Sequence, residues 1–328
     1  MVRILTREEL KKILSMEIVI DVVEKGFLEL YKGTAKMPLR SLIDVQEHKG
    51  TILCMPCYLE ENHALAIKIV STYESNPEKG LPTVIATVQL NDPATGNPLA
   101  IMEGTHLTAM RTGATSGVAT KYLARDDATI AGIIGAGVQG KTQLMAVKEV
   151  RPIEKALVFD IITEKATSFA EEMSEKLGIE VQSVESAEKV VKSAEILNLA
   201  TTAREPVING KWIKEGTHIN SVGWTGKEGR ELDTQTVKMA KMIVDSKEAV
   251  FEESGDILIP IKENAIGRDH IYAELGELIG EVKKGRVSEK EVTLFKSVGV
   301  AIEDAITAKL AYEQAVEKNL GREIDFES

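Results

Sequence analysis

A chain of 328 residues, 43% hydrophobic and carrying a formal net charge of −11, is long enough for two domains and too acidic overall to favour a nucleic-acid partner. No apolar run approaches the ~20 residues that cross a bilayer. The opening Met1-Val-Arg-Ile-Leu-Thr lacks the apolar core of a signal peptide, so the expectation is a cytoplasmic protein without a membrane partner.

Thr6-Arg-Glu-Glu9 is a capping-box pattern that opens a short helix over Leu10 to Leu14. Met16 to Tyr31 follows with Ile18, Ile20, Val22, Val23, Phe27, Leu28 and Leu30 at mostly helical spacing. Residues 36–103 then read as strands punctuated by Pro and Gly: Met37-Pro-Leu-Arg40-Ser-Leu-Ile, Thr51-Ile-Leu-Cys-Met-Pro-Cys57, Ala64-Leu-Ala-Ile-Lys68-Ile-Val and Thr83-Val-Ile-Ala-Thr-Val-Gln-Leu. Cys54 and Cys57 have neither a helix N-terminus nor a second ligand pair beside them. They are expected to be free thiols in a sheet, with no metal site. His106 to Ala124 reads as a helix with Arg111 near its start.

The rhythm changes at about Asp126. Ala128-Thr-Ile-Ala-Gly-Ile-Ile-Gly135 is a β-branched run feeding Gly135-x-Gly137-x-x-Gly140, and a helix-like segment follows from Val138 to Val150. In a dinucleotide-binding turn the first glycine permits the tight bend. The second lets the backbone approach a pyrophosphate, and the third lets helix and strand pack closely. Val138 and Gln139 then open the helix whose N-terminal amides would receive the phosphates. The next strand, Lys155 to Asp160, ends in an acid 20 residues beyond Gly140, where a carboxylate accepts hydrogen bonds from the adenosine ribose. Asp160 would repel a ribose phosphate and Ile161-Ile162-Thr163 brings no Arg to neutralise one, so NAD(H) is expected over NADP(H).

Strands at Ile179–Val184, Glu195–Ala200, Thr217–Gly223 and Met242–Asp245 alternate with helices at Thr163–Leu177, Ser186–Val191 and Asp233–Ala240. Such alternation implies an α/β fold with a Rossmann doubly wound parallel sheet over residues 126–299. After Gly285 the pattern ends. Val300 to Lys318 makes a long helix with Ala at 301, 305, 308, 311 and 315, expected to return to a first domain made of residues 1–125 with 300–328.

That first domain offers three cations at motif-like places. Lys68 between Ala-Ile and Ile-Val is costly to bury without an anionic partner. Arg40 and Arg111, taken alone, are more often structural. His218, in a strand leading to the second domain's loops, reads as a structural histidine bonded to backbone in preference to a catalytic acid.

Gly80-Leu-Pro-Thr83-Val, Met110-Arg111-Thr-Gly-Ala-Thr-Ser, Gly135-Ala-Gly-Val-Gln-Gly140, Gly216-Thr-His218-Ile-Asn220-Ser-Val-Gly223 and Val292-Thr-Leu-Phe-Lys-Ser297-Val-Gly299 together resemble the ornithine cyclodeaminase/μ-crystallin family over nearly the whole chain. The run from Asn76 to Val84 is most similar to its archaeal-type L-alanine dehydrogenase branch. The resemblance implies a homodimer, with an α+β first domain that binds substrate and builds the dimer interface through its sheet. It implies that Arg40, Lys68 and Arg111 grip a substrate carboxylate, with Val298 also on the substrate side. Thr83, Gly135, Gly137, Val138, Gln139, Gly140, Asp160, Thr201, Thr202, Ser221, Val222, Gly223, Trp224 and Ser297 would hold the dinucleotide.

Two departures bear on the substrate. Cyclodeaminases of the family carry an Asp in the loop after Ile-Asn-x-x-Gly, where this chain has Thr225, a residue that hydrogen-bonds an amine but is no acid or base near neutral pH. Two residues before Met55-Pro56 the cyclodeaminase has Glu and the alanine dehydrogenase Arg, whereas this chain has Leu53. An apolar side chain there disfavours ornithine. The implied reaction is reversible hydride transfer between NAD(H) and the α-carbon of a small amino acid and its imine, with Lys68, Arg111 and Thr225 as the catalytic candidates. Alanine dehydrogenase and ketimine or pyrroline-2-carboxylate reductase activities both fit. A cyclodeaminase that recycles NAD and a non-catalytic binding protein are the alternatives.

Overall fold

The computed structural model describes residues 1–73 and 75–325, and divides them into two compact units. The first comprises Met1–Arg111 with Val300 onward, and the second Thr112–Gly299.

The first unit is a sheet with helices on one face. Its elements are β1 (Val2–Leu5), α1 (Arg7–Ile13), α2 (Met16–Lys32), β2 (Ala35–Lys36), β3 (Ser41–Val45), β4 (Gly50–Leu59), β5 (Ala64–Tyr73), β6 (Val84–Asn91) and β7 (Pro98–Glu103). A helix, α3 (Gly104–Leu123), starts in this unit and ends in the second. The sheet runs β16-β1-β7-β6-β5-β4-β2, where β16 is Arg322–Ile324 from the chain's far end, and β3 also pairs with β4. Alternation divides its residues cleanly between two faces. Met55, Cys57 and Leu59 of β4, Ala64, Ala66, Lys68 and Val70 of β5, Ala86, Val88 and Leu90 of β6, and Ala100 and Met102 of β7 are all buried.

The helix α11 (Ala301–Glu317) packs on that face together with α2. Ala301, Ala305, Ala308, Ala311 and Ala315 are all buried in it, and their small side chains let its backbone lie close to the sheet. The opposite face is uncovered. Ile43, Ile69 and Ile85 stand 63%, 48% and 42% exposed on it.

The second unit holds β8 (Ile130–Ile134), α4 (Val138–Val150), β9 (Lys155–Phe159), α5 (Thr163–Leu177), β10 (Glu180–Ser183), α6 (Ala187–Ser193), β11 (Ile196–Leu199), β12 (His218–Ser221), α7 (Thr234–Met239), β13 (Lys241–Val244), α8 (Lys247–Glu253), α9 (Gly255–Lys262), β14 (Ile271–Glu274), α10 (Leu275–Ile279) and β15 (Thr293–Lys296). The strands form an eight-stranded sheet in the order β10-β9-β8-β11-β12-β15-β13-β14, and every neighbouring pair is parallel. The order reverses between β8 and β11. In doubly wound sheets ligands bind outside the strand C-termini at that switch.

Two features differ from the sequence reading. The first break falls at Arg111/Thr112, not at residue 125. The reason is the packing of the later part of α3 within the second unit: Gly113 lies so close to Thr142 that a Cβ would meet its carbonyl oxygen at 2.6 Å, and Asn220 donates to the Thr120 hydroxyl at 3.1 Å. The strand rhythm also continues past Gly285, because β15 inserts between β12 and β13. Its four residues, Thr293-Leu-Phe-Lys, are too few to show a period against their neighbours.

Candidate active site

In the first unit Lys68 faces the helix-covered side of the sheet, directly across from Met55 on β4 and Val88 on β6. It is 2% exposed, and its ammonium is held by Asp304, whose Oδ2 lies 2.6 Å from Nζ. Asp304 sits in the first turn of α11, where the helix dipole favours negative charge. Its Oδ1 also accepts from Arg111 Nε at 3.0 Å. The neighbouring Glu303 accepts from Arg111 Nη1 at 2.6 Å through one oxygen and from the Val300 amide at 2.8 Å through the other. Two cations and two carboxylates are thus buried together in this unit.

The cluster reshapes its members' acidities. Burial, and then the Arg111 charge, bring the Lys68 ammonium down to about 8, against the opposing pull of Asp304 and Glu303. Burial also works against the Arg111 cation, but Asp304 and Glu303 together outweigh it and hold the guanidinium charged. Nearby, burial and the charges of Asp304 and Glu29 push the Cys57 thiol up to about 12. Cys54 and Cys57, three residues apart on β4, point to opposite faces and cannot share a metal ion or form a redox pair.

Glu303 and Asp304 were not singled out in the sequence. Only the buried Lys68 signalled an anionic partner, and that partner lies more than 200 residues away along the chain.

Beyond Lys68 the covered face runs out into half-buried Thr51, Leu53 and Thr72 and exposed Val84. Leu53 lies opposite Val70 on one side and Leu42 on the other. Arg40 stands one residue before β3, in step with Leu42 and Asp44, which share the face of Leu53 and Thr51. Thr83 lies just before β6, and its carbonyl accepts from the Tyr73 amide at 2.9 Å. These residues belong to the first unit.

In the second unit the Gly-rich turn joins β8 to α4. Gly135 has φ +102°, and a Cβ on it would meet the Ala200 carbonyl oxygen at 2.4 Å. A Cβ on Gly140 would meet the Gly135 carbonyl oxygen at 2.2 Å, so close helix–strand packing requires that glycine. Gly137 is different: nothing lies within 4 Å of its Cβ position, and it is the N-cap of α4. No side chain caps this 13-residue helix and no acid occupies its first turn. An open, uncapped helix N-terminus beside a small residue suits a pyrophosphate. Val138 is 64% exposed at that end, and Gln139 follows it. The Asp160 carboxylate bonds the Ala136 and Ile162 amides, each at 2.9 Å, fastening the end of β9 to the glycine turn.

Thr201 and Thr202 follow β11, and Val222, Gly223 and Trp224 follow Ser221 at the end of β12. The hydroxyls of Thr201 and Ser221 turn inward onto the buried Glu231. Ser297 donates to Asp245 Oδ2 at 2.8 Å, and the same oxygen accepts from the amides of Val298 and Gly299. Asp245 thereby fixes the turn carrying Ser297 and Val298. Thr225 is exposed in the loop after Trp224. His218 is buried, with ring nitrogens 3.0 Å from the Thr293 hydroxyl and 3.1 Å from Asn220 Oδ1. Burial, then the charge of Arg286, push it down to about 3, so it is neutral at physiological pH.

The sequence model of the ornithine cyclodeaminase/mu-crystallin family matches residues 2–319. The chain is 62% identical to the Δ1-pyrroline-2-carboxylate reductase of Thermococcus litoralis, solved with NADH and L-proline; the match covers 98% of this chain and 100% of that one at a TM-score of 0.97. An archaeal alanine dehydrogenase dimer with bound NAD is 38% identical over 99% of both chains, at a TM-score of 0.93. The alanine dehydrogenase of Archaeoglobus fulgidus is 39% identical over 323 residues, 98% of each chain. No described helix is long and apolar enough to cross a membrane.

Proposed function

The chain belongs to the ornithine cyclodeaminase/mu-crystallin family, and within it we propose that the protein reduces the cyclic imino acid Δ1-pyrroline-2-carboxylate to L-proline with NADH. It is an NAD(H)-dependent oxidoreductase acting on small amino and imino acids. The observation that carries the finer reading is the buried Lys68–Arg111 cation pair ending in an apolar margin of Leu53, Val70 and Val84. Cations suit the substrate carboxylate, and the margin suits a ring of methylenes in place of a charged amine tail.

When bound, the dinucleotide supplies the hydride that reaches C2 of the imine; the imine nitrogen takes a proton. The Gly135–Gly140 turn and the N-terminus of α4 would hold the pyrophosphate. Lys68 keeps a proton on Nζ at neutral pH and presents a positive charge to the substrate carboxylate or imine nitrogen. Arg40 and Arg111 orient that carboxylate, and such orientation is most of what the protein contributes when a cofactor carries the chemistry.

The test is product identification. Purified protein given pyrroline-2-carboxylate and NADH should form L-proline mole for mole with NADH consumed. NADH loss without L-proline would refute the proposal.

The proposal includes a homodimer formed through the uncovered sheet face. An apolar face of this extent, centred on Ile43, Ile69 and Ile85, marks an interaction surface, and a relative with 38% identity is a dimer. Ile69→Glu should convert a dimer into a monomer by light scattering. It also includes a cytoplasmic location.

A further inference from the structure

Glu231 lies outside every stretch tied above to substrate or cofactor, yet it is fully buried in the second unit and accepts hydrogen bonds from two separate turns. Its Oε1 accepts from the Thr201 amide and hydroxyl, each at 2.8 Å. Its Oε2 accepts from the amides of Gly223 at 2.8 Å and Trp224 at 3.2 Å and from the Ser221 hydroxyl at 3.3 Å. Thr201 follows β11, and Ser221 to Trp224 close β12, so one carboxylate spans the C-terminal ends of adjacent parallel strands.

The surroundings are built to keep that carboxylate there. Lys296, on the next strand β15, is fully buried; its ammonium donates to the Trp224 carbonyl at 2.8 Å and pairs with Asp256 Oδ2 at 2.7 Å. Asp256 Oδ1 in turn accepts from the amides of Glu231 and Leu232 at 2.8 and 2.9 Å. Gly223 has no room for a side chain: a Cβ would lie 2.3 Å from Glu231 Oε1 and 2.3 Å from the Thr201 amide nitrogen. Three backbone amides converging on one point make an anion-binding concavity, and here the protein fills it with its own carboxylate.

We propose that Glu231 is a positioning residue for the dinucleotide site, a clasp that sets the spacing between the Thr201 turn and the Gly223–Trp224 loop. The inference rests on the reading of these turns as dinucleotide-lining. It touches neither cofactor nor substrate. Because the Thr201, Gly223 and Trp224 amides are committed to Glu231, they are not the groups that meet phosphate; that task stays with the turn at Gly137. A carboxamide at position 231 would set its NH2 against donors on one side, loosening one of the two turns.

The test is NADH titration of the full-length protein, followed by energy transfer from Trp224. Of the two tryptophans the other is replaced by Trp212→Phe. Glu231→Gln in that background should raise the NADH Kd at least tenfold and shift Trp224 emission, with the KM for imine at saturating NADH changed less than threefold. Glu231→Asp, which keeps the charge but shortens the reach to the two turns, should raise the Kd likewise, and decides the matter if Glu231→Gln does not fold. A folded variant of either kind with native Kd and native Trp224 emission, whatever its melting temperature, would overturn the proposal. Failure of the unsubstituted protein to bind NADH would instead sink the dinucleotide reading on which it rests.

Discussion

Lys68 on β5 and Asp304 in the first turn of α11 meet at 2.6 Å, each about 2% exposed, although 236 residues separate them. A lysine in that position has two stable options: to stay charged against its carboxylate, or to lose its proton. With its ordinary value brought down to about 8, it stands near the crossing point at physiological pH.

The sign of the pH effect follows. Lys68 carries its charge below about pH 8 and loses it above, so a reaction that needs the cation should fade as pH rises through that value. Asp304→Asn removes a partner that favours the charged form, and should move this limb of the kcat/KM profile to lower pH. A limb that stays in place in Asp304→Asn would remove Lys68 as its source. Lys68→Ala should cut kcat by about 100-fold or more with NADH binding within about twofold, read by steady-state kinetics and NADH titration.

Arg111 is tied to both Glu303 and Asp304, so its removal acts on the fold as well as on the reaction. Arg111→Ala should cost on the order of 3–5 kcal/mol in denaturant unfolding, the range for breaking one side of a buried ion pair. Arg111→Lys keeps the charge without the planar fork. It should lower kcat/KM about 100-fold, on the order of 3 kcal/mol, with a smaller loss of stability.

His218→Gln should leave the position of the Lys68 limb unchanged. The ring is neutral throughout the working range, and its partners Thr293 and Asn220 are structural. The expected loss is in stability, about 1–3 kcal/mol for buried partners left imperfectly paired. A displaced pH–rate profile would return His218 to the chemistry.

Leu53 sets the polarity at the open end of the covered face. Leu53→Arg should lower kcat/KM for the cyclic imine by at least about tenfold, because a guanidinium then stands where ring methylenes are expected. Unchanged kinetics would show that substrate does not reach this margin.

How much of this could be read from the chain depended on distance along it. The glycine turn and the acid 20 residues after Gly140 are local patterns, so the strand–turn–helix unit around Gly135 was legible at once. Lys68 could be marked as unusual, because a cation inside an apolar strand violates burial rules locally. Its partners could not be found, since Glu303 and Asp304 look like ordinary first-turn acids until α11 folds back on β5. Glu231 was hidden for the same reason: its donors come from two distant turns, and nothing in Arg230-Glu-Leu-Asp233 marks one acid as buried. The strand β15 was missed because a central strand's partners, not its own four residues, define it.

The most direct measurement is the ratio of kcat/KM for Δ1-pyrroline-2-carboxylate to that for pyruvate with saturating ammonia, both with NADH at the same pH. A ratio well above one, with L-proline as product, is the expected result. A ratio below one would make the protein an alanine dehydrogenase despite Leu53. Turnover of neither, with ammonia released from ornithine and no net change in NADH, would contradict the reductase reading altogether.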